Sequence, residues 1–290
     1  MMAPMSNTPV TPKPVSAVAS PSASSDVPIL VVDAFTSERF RGNPAGVVLL
    51  EHPREAHWMQ ALASEMKHSE TAFLVPEGDG YHLRWFTPVH EVDLCGHATL
   101  ASAHSLWETG RLAPDATVRF RTRSGILTAR RAGGGIEMDF PAEPASAVAH
   151  GDVPKGMLEA LGATARYVGK NRLDYLVELE NENAVRELSP DFRRLAATET
   201  RGIIVTAASS SPEFDFVSRF FAPAFGIDED PATGSAHCCL APYWSAKLGK
   251  KEMVGYQASA RGATVRVVIR GERVGLIGNA VTVLRGTLAG

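Results

Sequence analysis

One pattern is written twice in this chain. Residues 86–104 read FTPVHEVDLCGHATLASAH, and residues 221–241 read FAPAFGIDEDPATGSAHCCLA. Each copy closes an apolar run at Phe-x-Pro, passes through a turn rich in acids, and reaches a Gly followed by small apolar residues at helical spacing. Two helices are predicted, each beginning on a glycine, Gly96 and Gly234. A glycine at a helix start lets backbone N–H groups approach a ligand closely, and the unpaired first-turn donors with the helix dipole favour an anion. Two such starts predict one cleft shared by two halves of the chain.

The remaining segments arrange themselves around these anchors. Strands are expected over 28–36 and 45–50, either side of the RFRGNP turn. A helix over 54–67 places Trp58, Leu62 and Met66 on one face. YHLRWF, TVRFRTRSG and ILTARRAGGGIEMDF read as strands and hairpins, with Gly133 to Gly135 at a tip. The second half repeats this order with a helix over 155–161, strands in RYVGK, YLVELE, GIIVTA and FDFVSRFF, and a closing meander through TVRVVIRG, RVGLIG and AVTVLRGTL. GHATLASAHSLW and GSAHCCLAPYW are small or apolar on nearly every face, as buried helices are and surface helices are not. The expected fold is α+β, each half a curved, mostly antiparallel sheet wrapped around one apolar helix.

Composition narrows the function classes. A chain of 290 residues with 44% hydrophobic content can bury two modest cores. A net charge of −3 leaves no basic footprint for a nucleic acid. Three cysteines make no disulfide framework, and His97 with His104, or His237 beside Cys238 and Cys239, lack a completing set of metal ligands at the right spacing. No metal is expected. Residues 1–27 are rich in Ser, Ala and Pro without periodicity and read as a disordered leader. No apolar run approaches the roughly 20 residues that span a bilayer, so no membrane partner is expected and a cytoplasmic location is.

VDAFTSERFRGNPAGVV, EMKHSETAF, RWFTPVHEVDLCGHATLASA, DEDPATGSAH and the closing YQASARG and GTL segments together resemble the PhzF (phenazine biosynthesis) family, relatives of diaminopimelate epimerase. The resemblance runs from Val31 to the C-terminus. It implies a homodimer of two pseudo-symmetric lobes, each a β barrel around a central helix, with the active site between lobes and no cofactor. The lobes are expected over 28–125 and 126–290, the last strand returning to the first lobe. The implied activity is an isomerase's proton shift on a small carboxylic-acid substrate.

Site residues follow from the same resemblance. Glu70 corresponds to the acid/base that moves a proton between two carbons on one face; burial beside apolar walls such as Phe73 raises its pKa toward neutral. Its plain alternative is an exposed strand-end acid. His97 corresponds to a histidine that donates to the substrate, neutral at a helix start. Asp230 and Ser235 correspond to substrate-holding partners from the opposite lobe, and the amides of Gly96, Gly234 and Ser235 to a carboxylate cradle. Asn43 corresponds to a weak contact near the cleft. Cys95 stands where epimerases carry the first of two opposed thiols, but DPATGSA holds no second. Paired-thiol epimerisation is therefore disfavoured, and Cys95 reads as packing or as a substrate-facing thiol. Asp228 and Glu229 read as turn acids, and Arg39 and Arg41 as a solvated edge or an anion guide. A non-catalytic binding protein is the competing class. MKHSET, CGHATLA and YQASARGATVRVV depart from the phenazine enzymes, whose best known activity is on dihydro-hydroxyanthranilate, so no phenazine role is expected.

Overall fold

The computed structural model describes residues 27–289. The expected leader lies outside the described residues except for Val27, which opens the first strand. The first half runs β1 Val27–Ala34, β2 Asn43–Leu49, α1 Ala56–Met66, β3 Glu70–Glu77, β4 Gly80–Phe86, β5 Glu91–Val92, α2 Gly96–Glu108, β6 Val118–Thr122, β7 Gly125–Ala132 and β8 Gly135–Pro141. The second continues with β9 Ser146–Ala147, α3 Met157–Leu161, β10 Tyr167–Lys170, β11 Asp174–Glu178, α4 Glu182–Arg186, α5 Phe192–Leu195, β12 Gly202–Ala208, β13 Phe216–Phe221, α6 Gly234–Leu248, β14 Glu252–Gln257, β15 Ala263–Arg270, β16 Arg273–Gly278 and β17 Ala280–Leu288.

Strand pairing exposes the duplication more fully than the two phrases do. In the first half β1–β2 is antiparallel, β2–β3 parallel, β3–β4 antiparallel, β4–β6 parallel, and β6–β7 and β7–β8 antiparallel. The series β10–β11, β11–β12, β12–β13, β13–β14, β14–β15 and β15–β16 repeats that order of senses. Each half therefore forms a mostly antiparallel barrel around its long helix, and the two lobes are joined where β8 pairs antiparallel with β16. The strand after each unit crosses over: β9 pairs with β10, and β17 pairs with β1. On this pairing we place the division after β8 rather than at residue 125, because β7 and β8 continue the first ladder.

Register turns the duplication into residue equivalences. Thr71 lies opposite Phe86 and Ile203 opposite Phe221, so the two Phe-x-Pro phenylalanines align Glu70 with Gly202 and Ser69 with Arg201. Ala45 lies beside Glu70 and Asp174 beside Gly202, which aligns Ala45 with Asp174. From the glycine helix starts, Cys95 aligns with Thr233 and His97 with Ser235.

Burial follows the amphipathic logic. Most of α2 is buried, from His97 to Trp107, and α6 buries Ala236 to Ala241 and Trp244, so both helices are core on nearly every face. The largest apolar cluster includes both helices and the inner faces of both barrels. In α1 the fully buried residues are Met59 and Ala63, while Trp58, Leu62 and Met66 pack half-buried beside them. The helix thus presents a wider apolar face than the predicted stripe. Two helices went unpredicted: α4 and α5 are only five and four residues long and too short to show a period. Each is marked by its cap, where Asn181 accepts from the Ala184 amide and Asp191 from the Arg194 amide.

The helix-start glycines serve each other as well as the cleft. A Cβ on Gly96 would lie 3.1 Å from the Gly234 Cα, and one on Gly234 would lie 3.1 Å from the Gly96 Cα. The two helix starts touch backbone to backbone, and a Cβ on either glycine would push them apart by a few tenths of an ångström. Gly96→Ala is expected to lower unfolding stability by about 1–2 kcal/mol, an overpacking cost partly offset by alanine's helix propensity. Denaturant melts check it, and an unchanged midpoint contradicts the contact.

Candidate active site

Register and helix starts bring four predicted residues to one place. Glu70 is the first residue of β3, His97 the second of α2, Ser235 the second of α6, and Asp230 lies in the turn before α6. All four line a cavity of about 390 Å³ between the lobes, with Gly96, Gly234 and Cys95 in its wall. The N-cap residues Cys95 and Thr233 make no side-chain cap hydrogen bond. Two uncapped helix starts therefore meet at this cavity, which favours an anion there.

The polar groups form one network. Asn43 Nδ2 donates to Asp230 Oδ1 at 2.7 Å and to the Ala232 carbonyl at 3.0 Å, and lies 3.1 Å from His97 Nδ1. Those two bonds use both amide hydrogens, and an amide nitrogen does not accept, so a proton on Nδ1 would face no acceptor there and the imidazole's single proton sits on Nε2. That Nε2 faces Glu70 Oε2 at 3.4 Å. Thr233 Oγ1 donates to Asp230 Oδ2 at 2.5 Å, and Ser69 Oγ lies 3.4 Å from Asp230 Oδ1. Gln257 closes the ring, donating to the Asp230 carbonyl and accepting from the Thr233 amide.

Burial sets the protonation states. Glu70 is pushed up from 4.5 to about 8, first by desolvation and then by the negative charge of Asp230, against a hydrogen bond from Cys95 and the charge of Arg201. Asp230 is also raised by desolvation, while Thr233, Asn43 and Ser69 donate to its charged form and restrain the rise. Desolvation lowers His97 to about 3, so its imidazole is neutral at physiological pH. The Cys95 thiol is held well above its usual range by burial and by Glu70, and stays protonated. Two carboxyl groups and a neutral histidine thus share one cavity, with Glu70 placed to hold or release a proton near neutrality.

A model of the PhzC/PhzF family, described as phenazine biosynthesis-like protein, matches residues 32–286. The chain belongs to this family. An uncharacterised isomerase of Halalkalibacterium halodurans is 54% identical over 261 residues, 90% of this chain and 98% of the relative. One of Pseudomonas aeruginosa is 47% identical over 265 residues, covering 91% and 99%. The crystal structure of a PhzF family protein from Enterococcus faecalis matches with a TM-score of 0.85 at 39% identity, over 91% of this chain and 99% of that one. The two-lobed α+β architecture is thus the epimerase-like fold of the PhzF family.

Within that fold several expectations need correction. Asn43 is fully buried and lies behind the cavity, where it orients Asp230 and His97; it is not a contact at the cleft surface. Phe73 does not wall Glu70: three residues along a strand is the opposite face, and Phe73 packs with Trp58 and Phe86 under α1. Arg39 and Arg41 bond to the carbonyls of Thr282 and Arg261, outside the cavity. Asp228 is an exposed turn acid as expected, whereas Glu229 forms a bidentate pair with Arg219. No ligand set was expected for a metal, yet Glu70, Cys95 and His97 bring three donor atoms within 4.8 Å. Three donors are one short of a closed tetrahedral site and equal in number to an open one, and His97 turns Nε2 toward Glu70 while its Nδ1 lies 3.1 Å from Asn43 Nδ2.

Other residues at the PhzF site were missed. Arg201 and Phe220 line the cavity, as does Cys238, which the sequence places deeper in α6 as core. Extending the internal repeat from Ser69 to Arg201 is the signal that finds the arginine. Asn43→Ala is expected to cost about 2–3 kcal/mol, because Asp230 and the Ala232 carbonyl lose a buried donor. Equilibrium unfolding of the variant measures it, and a loss below about 0.5 kcal/mol contradicts the role.

Proposed function

We propose that this protein is a cofactor-independent isomerase that moves a proton between two carbons of a small carboxylic acid, with Glu70 as the single acid/base. One observation carries the reading: the counterpart of Glu70 across the pseudo-symmetry is Gly202, where a Cβ would lie 2.2 Å from the Phe220 ring. The opposite wall therefore offers a phenyl ring, and the counterpart of Cys95 is Thr233 rather than a second thiol. A racemase working by opposed bases lacks its second base here, whereas a proton taken and returned on one face needs only one.

Glu70 as carboxylate takes a proton from one carbon, and that C–H bond breaks. The electron pair shifts along the substrate's conjugated carbons, and a C–H bond forms at the second carbon with the proton Glu70 returns. No redox partner is required. A substrate carboxylate over the uncapped starts of α2 and α6 places developing negative charge near backbone donors. His97 Nε2–H, opposite Glu70, is the neutral donor of the site. A pKa near working pH lets one group both accept and donate.

The test is solvent-deuterium incorporation, read by mass spectrometry, across a panel of small unsaturated and hydroxylated carboxylic acids. The reading expects at least one acid to be recovered with its double bond moved, or with a single deuterium gained at a carbon where Glu70 exchanges its proton with solvent before returning it. Tight binding across the panel with neither change contradicts it and favours a binding protein.

A further inference from the structure

Two arginines line the cavity among the described residues: Arg172, largely exposed and paired with Glu143, and Arg201, which a buried acid holds in place. Arg201 Nε donates to Asp174 Oδ1 at 2.8 Å, its Nη2 bonds Asp174 Oδ2, and Nη2 also donates to Ser235 Oγ at 3.0 Å. Asp174 is 1% exposed and Arg201 31%. The guanidinium also lies over the Phe220 ring, 5.7 Å from its centroid. Among the described residues Nη1 has no hydrogen-bond partner, which leaves two donors available on a fork whose other edge is fixed.

Pseudo-symmetry shows that this arrangement is particular to the second lobe. The counterparts of Arg201 and Asp174 are Ser69 and Ala45, and Ala45 is completely buried. An acid therefore occupies a position that the fold fills with a methyl group in the other lobe. A buried carboxylate is costly without a paired cation, so Asp174 has a purpose only with Arg201 in place. The pair also sets the chemistry of Ser235: a hydroxyl that accepts from arginine keeps its own hydrogen free to donate. The first lobe brings the acid/base to the cavity, and the second brings a preoriented cation.

We propose that Arg201 is a specificity-determining residue that binds a second acidic group of the substrate, so that the substrate class is dianionic: one carboxylate over the helix starts and another acidic group on Nη1 of Arg201. This rests on the proton-shift reading for the first carboxylate, while Arg201 supplies the requirement for a second. A charge-assisted hydrogen bond from Nη1 to a carboxylate is strong enough to separate substrates by about tenfold or more.

Isothermal titration calorimetry with chain-matched probes tests this directly: succinate against butyrate, and glutarate against valerate. The wild type is expected to bind each diacid at least tenfold tighter than its monoacid. The double variant Asp174→Asn/Arg201→Gln removes both charges without stranding either, and is expected to bring the ratio to within about twofold; any effect through the lost Ser235 contact falls on diacid and monoacid alike and cancels from the ratio. Arg201→Lys, which keeps the charge beside Asp174, is expected to retain part of the preference. Equal binding of diacid and monoacid by the wild type overturns the proposal, as does an undiminished ratio in the double variant. Binding selectivity needs no turnover. A panel that shows neither deuterium exchange nor isomerisation therefore strikes the proton-shift reading, and a failed diacid preference strikes the role of Arg201.

Discussion

Glu70→Gln is expected to reduce solvent-deuterium incorporation into an exchanging acid by roughly 10²–10⁴-fold, the usual contribution of a positioned acid/base. Glutamine keeps the shape of the side chain and its place beside His97, so a large fall in exchange reports loss of proton transfer. The same variant is expected to be more stable than wild type, and increasingly so with rising pH. The sign follows from which state binds the proton. Glu70 is raised from 4.5 to about 8 in the folded protein, so between those values the native state holds a proton that the unfolded chain has released. The stability this proton contributes is complete below pH 4.5 and is lost as pH climbs toward 8. Glutamine does not titrate. The gap between variant and wild type should therefore open by about 1–3 kcal/mol between acid and alkaline pH, a range set below the full linkage value because Asp230 titrates alongside. Denaturant melts at pH 5 and pH 9 measure it, and a constant gap contradicts a raised Glu70.

Asp230→Ala is expected to carry the other large effect. Asn43 and Thr233 both donate to this carboxyl, and Ser69 lies within reach of it. Removing the acceptor leaves buried donors unpaired at a cost of about 1–3 kcal/mol each, so a total loss near 3 kcal/mol is expected in unfolding experiments. Chemistry should move with it. Asp230 raises Glu70 by like charge, so its removal lowers the Glu70 pKa and shifts the pH optimum for exchange toward acid. An unshifted optimum in a folded variant contradicts the coupling between the two carboxyl groups.

The parts legible in the sequence share a physical reason. Phe86 and Phe221 end strands, Gly96 and Gly234 start helices, and such local signals survive without knowledge of the partner. The same phrases carry His97, Asp230 and Ser235, and the separate EMKHSETAF segment carries Glu70, in the PhzF resemblance, and the structure gathers all four at one cavity. What stayed hidden depends on register or on distant partners. Arg201 acquires meaning only from Asp174, 27 residues earlier, and from Ser235, 34 residues later. Asn43 reads as a cleft contact until its three neighbours surround it. Phe73 was placed beside Glu70 by nearness in sequence, whereas strand alternation sends the two to opposite faces. The glycines at 96 and 234 were read toward a ligand, and their mutual contact is invisible without both helices in place.

The account depends on one carboxyl group that still holds its proton near neutral pH within a cleft between two lobes. A carbon-13 NMR titration of the Glu70 side chain, assigned by its disappearance in Glu70→Gln, reads that property directly. The predicted result is a midpoint well above the 4.5 of an ordinary glutamate, moving lower in Asp230→Asn. A midpoint at or below 4.5 in the folded wild type would contradict the central claim.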